Sequence, residues 1–276
     1  MENALGIPFE LHMSEQRILR GDMYKAKQDP SKGTLLLLHG YKGFKNWGMF
    51  PYVAKELADV VDVVALNFSH NGVGEDLMDF TELEKFAGDT YSRDLEDVQV
   101  MIGDIHKHVG KEKPIVLLGH SRGAGVSLIY ALDHPTEITG VISWNGIAHV
   151  DLLTPENKAE MKATGRSYTL NGRTKQMMPL DLEILEDMER NEERFDIVGR
   201  IREATFPITL VQGTADGERL IRGSEQLIAN NPAIQWVKIP NGNHTFGSVH
   251  PYQGETQPLR MAIEETKRAI RSMLNV

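Results

Sequence analysis

Gly119-His120-Ser121-Arg122-Gly123 constrains this chain more than any other stretch, because of what flanks it. Pro114-Ile115-Val116-Leu117-Leu118 is a short, apolar run that reads as a buried strand, and Ala124 to His134 reads as a helix. A serine in Gly-x-Ser-x-Gly at a strand-to-helix junction is a nucleophile elbow. The turn forces the serine backbone into a strained conformation, so small residues are needed two positions before and two after it. In return the hydroxyl stands clear at the end of the sheet. The alternative for Ser121 is an ordinary helix N-cap.

Composition removes several classes of function. The chain has 276 residues, 41% hydrophobic and 25% charged, with a formal net charge of -9 and no cysteine. Its length and these proportions suit a globular α/β domain rather than a disordered chain. An acidic chain without a Lys/Arg cluster is a poor partner for nucleic acid or an anionic membrane. Lack of cysteine removes disulfides, thiolate metal sites and cysteine nucleophiles together. The opening Met1-Glu2-Asn3-Ala4-Leu5-Gly6 has neither a basic nor an apolar leader pattern, and no apolar run reaches the ~18 residues of a membrane helix. A soluble cytoplasmic protein is the expectation.

Along the chain, residues 9 to 25 predict an antiparallel lead-in, since Phe9, Leu11 and Met13 alternate. Strands are then expected at Thr34–Leu38, Asp62–Phe68, Pro114–Leu118, Gly140–Trp144, Ile208–Gln212 and Ile234–Ile239. Helices are expected at Pro51–Ala58, Asp94–Val109, Ala124–His134, Gly223–Asn230 and Pro258–Leu274. Apolar strands between amphipathic helices mean a mostly parallel sheet covered on both faces. About sixty residues separate Trp144 from Pro207, far more than a connecting loop needs. They predict a small cap, residues 147–200, inserted into a core of residues 1–146 and 201–276, with a helix over Leu180–Met188. A crossover helix carrying a long disordered loop is the alternative.

A serine hydroxyl needs a base, usually a histidine held by a carboxylate. On a sheet of this kind the order is serine, acid, histidine, each past the carboxyl end of a strand. Asp216 in Gly213-Thr214-Ala215-Asp216 and His244 in Asn241-Gly242-Asn243-His244 satisfy that order. Asp216 as a plain turn residue, Glu218 as a substitute acid and His250 as a rival base are the alternatives. An oxyanion needs two donors: the backbone N–H of Arg122, after the serine, and that of Tyr41, in the loop after an earlier strand. The Arg122 side chain would either meet a substrate carboxylate or form a structural ion pair. Phe44, Trp47, Phe50, Met177 and Met178 could line an apolar pocket or simply pack loop against cap, and His70 could line the pocket or sit in an exposed loop. No His-Glu-x-x-His spacing occurs, and Gly72-Val73-Gly74 lacks the third glycine of a dinucleotide fingerprint, so no metal and no cofactor is expected.

With Leu38-His39-Gly40, Gly119-His120-Ser121-Arg122-Gly123, Gly213-Thr214-Ala215-Asp216 and Asn243-His244-Thr245-Phe246 in order, the chain resembles the α/β-hydrolases from about residue 30 onward. Within them it is similar to dienelactone-hydrolase-like and feruloyl (cinnamoyl) esterase-like serine hydrolases. The resemblance implies a twisted sheet of about eight strands with a cap after the sixth. It also implies triad roles for Ser121, Asp216 and His244 and an oxyanion hole from Tyr41 and Arg122. Two departures stand out: dienelactone hydrolases use a cysteine nucleophile, and Gly217-Glu218-Arg219 replaces an apolar residue common after the acid. The expected activity is cleavage of small carboxylic esters with short or aromatic acyl groups. Thioesterase or peptidase action with the same triad, a cofactor-free lyase or perhydrolase, and a non-catalytic binding protein are the alternatives. A homodimer is left open.

Overall fold

A computed structural model describes residues 6–28 and 30–276. Met1–Leu5, most of the stretch read above for a leader, lie outside the described residues. The chain opens with the antiparallel pair β1 (Ile7–His12) and β2 (Ile18–Tyr24). Then follow β3 (Thr34–Leu38), α1 (Phe50–Leu57), β4 (Asp62–Asn67), α2 (Leu83–Ala87), α3 (Tyr91–Val109), β5 (Ile115–His120), α4 (Arg122–Asp133) and β6 (Gly140–Trp144). Four helical or hairpin pieces come next: α5 (Pro155–Thr164), the hairpin β7 (Arg166–Leu170) and β8 (Met177–Asp181), α6 (Leu182–Arg190) and α7 (Ile197–Arg200). The chain closes with β9 (Ile208–Gly213), α8 (Glu218–Asn230), β10 (Gln235–Ile239) and α9 (Gln257–Leu274).

Eight strands form one sheet in the order β1-β2-β4-β3-β5-β6-β9-β10, parallel from β4 onward and antiparallel at its β1-β2 end. Side chains alternate across a strand, so each central strand feeds two cores. Leu36, Leu38, Val64, Leu66 and Leu117 pack with α3 and α4 on one face. Leu35, Leu37, Val63, Ala65, Val116 and Leu118 pack with α1 and α9 on the other. Burial of both faces accounts for the unbroken apolar runs. Among the described residues no helix is long and apolar enough to cross a membrane.

The segment after β6 differs in detail from the sequence expectation. Leu180 is not helical: it pairs with Ser167 in the β7–β8 hairpin, and α6 starts only at Leu182, after Asp181 in extended backbone. Neither α5 nor the hairpin was expected. α5 is almost wholly polar outside, with Met161 its one buried residue, so it shows no apolar period. Its start is fixed instead by Thr154 and Asn157 in a reciprocal capping box, and its end by Gly165 at φ 86. The segment is tied to the sheet side by charged and polar contacts. Asp187 of α6 accepts from the Ser92 hydroxyl at 2.5 Å, Arg93 meets Glu183 at 2.8 Å, and Arg166 bridges Glu84 (2.8 Å) and Asp181 (2.5 Å).

Candidate active site

The turn between β5 and α4 carries Ser121 at φ 55, ψ -117, a conformation that L-residues adopt only under constraint. Two neighbours impose it. A Cβ at Gly123 would run into the carbonyl oxygens of Leu38 and His39, and one at Gly119 would run into the Gly123–Ala124 backbone. The Ser121 N–H donates to Trp144 O (2.9 Å) and its carbonyl accepts from Ile147 N–H (3.2 Å), which anchors the turn to β6. No side-chain cap bond forms at this helix start. The hydroxyl lies instead 3.0 Å from His244 Nε2.

His244 reaches Ser121 from the loop after β10, and its Nδ1 lies 3.1 Å from Asp216 Oδ1 and 3.3 Å from Oδ2. The Asp216 side chain is 1% exposed, the imidazole 40%. Burial pushes the Asp216 carboxyl up, but the His244 hydrogen bond, the Gly217 N–H (2.7 Å) and the Gln212 amide (2.9 Å) outweigh it, holding the group below the usual carboxylate range. With Asp216 ionised, His244 Nδ1–H donates to its carboxylate, and that tautomer leaves Nε2 to accept from the serine hydroxyl.

His39 and His120, beside the glycines of their motifs, are expected from sequence to support these loops; sequence reasoning missed a third support, Asn145. Asn145, fully buried just past β6 at φ 46, donates from Nδ2 to Asn243 O (3.1 Å) and His244 O (2.9 Å). Its Oδ1 accepts from Gln212 Nε2 (3.0 Å) and Gly213 N–H (2.8 Å). One side chain thus joins the acid loop to the histidine loop. Its sequence signal is slight: a lone asparagine before a glycine at the end of an apolar strand. His120 Nε2 donates to His244 O at 2.8 Å, and burial together with the neighbouring His244 pushes its pKa down to about 3. His39 is lowered by burial to about 4; its Nδ1 donates to Gly40 O (2.9 Å) and its Nε2 accepts from Phe68 N–H (3.3 Å). Both histidines are neutral loop supports.

Arg122, first residue of α4, keeps its N–H outside the helical hydrogen bonds. Its guanidinium is buried away from solvent against Asp94 (2.8 Å), Asp89 (3.4 Å) and the Tyr91 ring (4.3 Å to the centroid). Burial raises both carboxyls, most strongly Asp94, while the shared guanidinium opposes that. The side chain is therefore engaged in a structural ion pair, the second of the two expectations for it. Tyr41 lies just past β3, beside Gly40, where an added Cβ would run into the Ser121 side chain, and it lines the same cleft as Ser121.

Ser121 and His244 line two clefts. One, of about 210 Å³, is walled by Gly40–Gly43, Trp47, Phe50, His120 and Thr245. The other, of about 230 Å³, is walled by Ile147, Ala148, His149, Leu152, Arg219 and Leu220. Of the expected pocket residues only Trp47 and Phe50 line either cleft. Phe44 is wholly buried against Phe80 and His250, because the loop after β3 folds its ring inward. His70 bonds Ser69 Oγ (2.9 Å) and is lowered to about 4 by burial and by Arg93, away from both clefts. Met177 points to solvent, 55% exposed, and Met178 is buried beside Asn171, since alternation in β8 sends them to opposite faces. Glu218 is at the surface, 3.2 Å from Arg222, and His250 accepts from Gly48 N–H at 2.9 Å.

This is the α/β-hydrolase fold, and a family model described as alpha/beta hydrolase fold matches residues 33–164. Est1E from Butyrivibrio proteoclasticus, solved with ferulic acid bound, superposes with a TM-score of 0.74 at 17% identity over 97% of this chain and 100% of that one. The monoacylglycerol lipase of Paleococcus ferrophilus superposes at 0.64 and 17% identity, covering 93% of this chain and 98% of that one. Rat (Rattus norvegicus) monoglyceride lipase is 34% identical over 74 residues, which is 25% of this chain and only 23% of the lipase.

Proposed function

We propose that the protein is a cofactor-free serine hydrolase that cleaves small carboxylic esters through an acyl-enzyme. The observation that carries this is the hydrogen-bonded line from Ser121 Oγ to His244 Nε2 (3.0 Å) and from His244 Nδ1 to Asp216 (3.1 Å), beside an open cleft. Ser121 Oγ attacks the ester carbonyl as His244 takes its proton, and Asp216 stabilises the imidazolium. The N–H groups of Tyr41 and Arg122 receive the oxyanion. Collapse of the tetrahedral intermediate expels the alcohol, which takes the proton back from His244. Water, deprotonated by His244, then attacks the acyl-enzyme, and the acid leaves as Ser121 regains its proton.

Residues 147–200 serve in this proposal as a cap over the cleft end of the sheet. Two similar proteins support an ester-cleaving reading: Est1E, solved with the aromatic ferulic acid bound, and a monoacylglycerol lipase. Hydrolysis of p-nitrophenyl esters from C2 to C12 tests the proposal. Wild type should turn over short or aromatic acyl esters, and Ser121→Ala and His244→Ala should each lower kcat by roughly 10⁴–10⁶-fold. An inert wild type, or full activity in Ser121→Ala, would contradict it.

A further inference from the structure

The wall of the cleft beside Ser121 includes a cation with no counter-ion. Lys42, next to Tyr41, lines that cleft, and burial pushes its ammonium below the usual lysine range. Its Nζ donates to Thr169 Oγ1 (2.8 Å) and Leu170 O (2.9 Å), both neutral, so the third N–H stays available. Among the described residues no carboxylate lies within 4.0 Å of it. Other withdrawn lysines are compensated: Lys45 meets Asp22 at 2.5 Å, and Lys267 meets Asp59 at 3.1 Å and Glu56 at 3.3 Å. In a chain of net charge -9, an unpaired cation beside the nucleophile stands against the prevailing sign.

We propose that Lys42 is an anion subsite, and that the substrates are esters bearing a free carboxylate, bound through Lys42 Nζ while Ser121 attacks the ester carbonyl. An ammonium partly withdrawn from water gains most from a charged acceptor, so a carboxylate there replaces lost solvation. The hairpin bonds to Thr169 and Leu170 hold Nζ in place beforehand, which limits the entropy that a flexible lysine would lose on binding. This substrate class rests on the esterase proposal above and narrows it.

Two matched substrate pairs test the idea. Monomethyl adipate against methyl hexanoate places the carboxylate on the acid side; 3-acetoxybenzoate against phenyl acetate places it on the leaving group. Wild type should prefer the charged member of at least one pair by about 10- to 100-fold in kcat/KM. Lys42→Met should bring that ratio close to one, Lys42→Arg should retain it, and Thr169→Val, which cuts the tether but keeps the charge, should retain most of it. Calorimetry gives a reading without turnover: monomethyl adipate should bind Ser121→Ala and fail to bind Ser121→Ala/Lys42→Met. Ratios near one in wild type, or ratios that Lys42→Met leaves unchanged, would overturn the subsite, with Lys42 then only a tether to the hairpin. Uncharged esters cleaved with flat ratios would leave the esterase proposal standing and remove the substrate class. Lys42-dependent binding without cleavage of any ester would do the reverse.

Discussion

The juxtaposition of Ser121, Asp216 and His244 was legible because each stands in a local pattern set by backbone geometry. The turn at Ser121 needs its glycines, and Asp216 and His244 each follow a strand by a few residues. His39 and His120 were legible as loop supports beside motif glycines, but Asn145 was not, because its role depends on contacts across the sheet. Asn145 is 68 residues from Gly213 and 99 from His244, yet it bonds both. Asn145→Ala removes the acceptor for two donors and the donor for two carbonyls, so the acid and histidine loops lose their common anchor. Since the expected damage is to alignment, kcat should fall by about 100-fold while KM moves little. Steady-state kinetics on one ester checks this: a matching rise in KM at constant kcat would make Asn145 part of binding instead.

At the scale of elements, strands such as Thr34–Leu38 and Gly140–Trp144 could be bounded to the residue from sequence, because both faces are buried and the apolar run simply stops. Elements held by polar contacts were missed. α5 buries only Met161, and β7 turns polar Ser167 and Thr169 inward while Tyr168 and Leu170 are exposed, so neither carries a hydrophobic period. The wrong helical reading of Leu180 has the same origin. Leu180, Ile184, Leu185 and Met188 are all buried, and their spacing is continuous across a strand-to-helix change at Asp181. Pocket residues failed for a related reason: proximity of Phe44, Met177 and Met178 to the right loops says nothing of which way each side chain faces.

Across the whole molecule, the supports of the site couple stability to acidity. His39 is buried and neutral, with its pKa lowered from 6.5 to about 4. The unfolded chain therefore binds a proton there that the folded chain refuses, and between pH 6.5 and about 4 this group removes about 1.4 kcal/mol of stability per pH unit as pH falls. Buried Asp97, raised by burial to about 6, acts in the opposite direction over much of the same range. The difference between two proteins isolates one group. Chemical denaturation of wild type and His39→Asn from pH 7 to 4 should give a shallower loss for the variant by about that slope, and parallel curves would show that His39 is not held neutral.

The central claim is that Ser121 is a nucleophile activated by His244. Its most direct test is reaction with a fluorophosphonate probe, followed by peptide mass spectrometry. The expected result is a single modified peptide with the label on Ser121, formed quickly in wild type and almost abolished in His244→Ala. No label, a label on another residue, or equal labelling without His244 would contradict it.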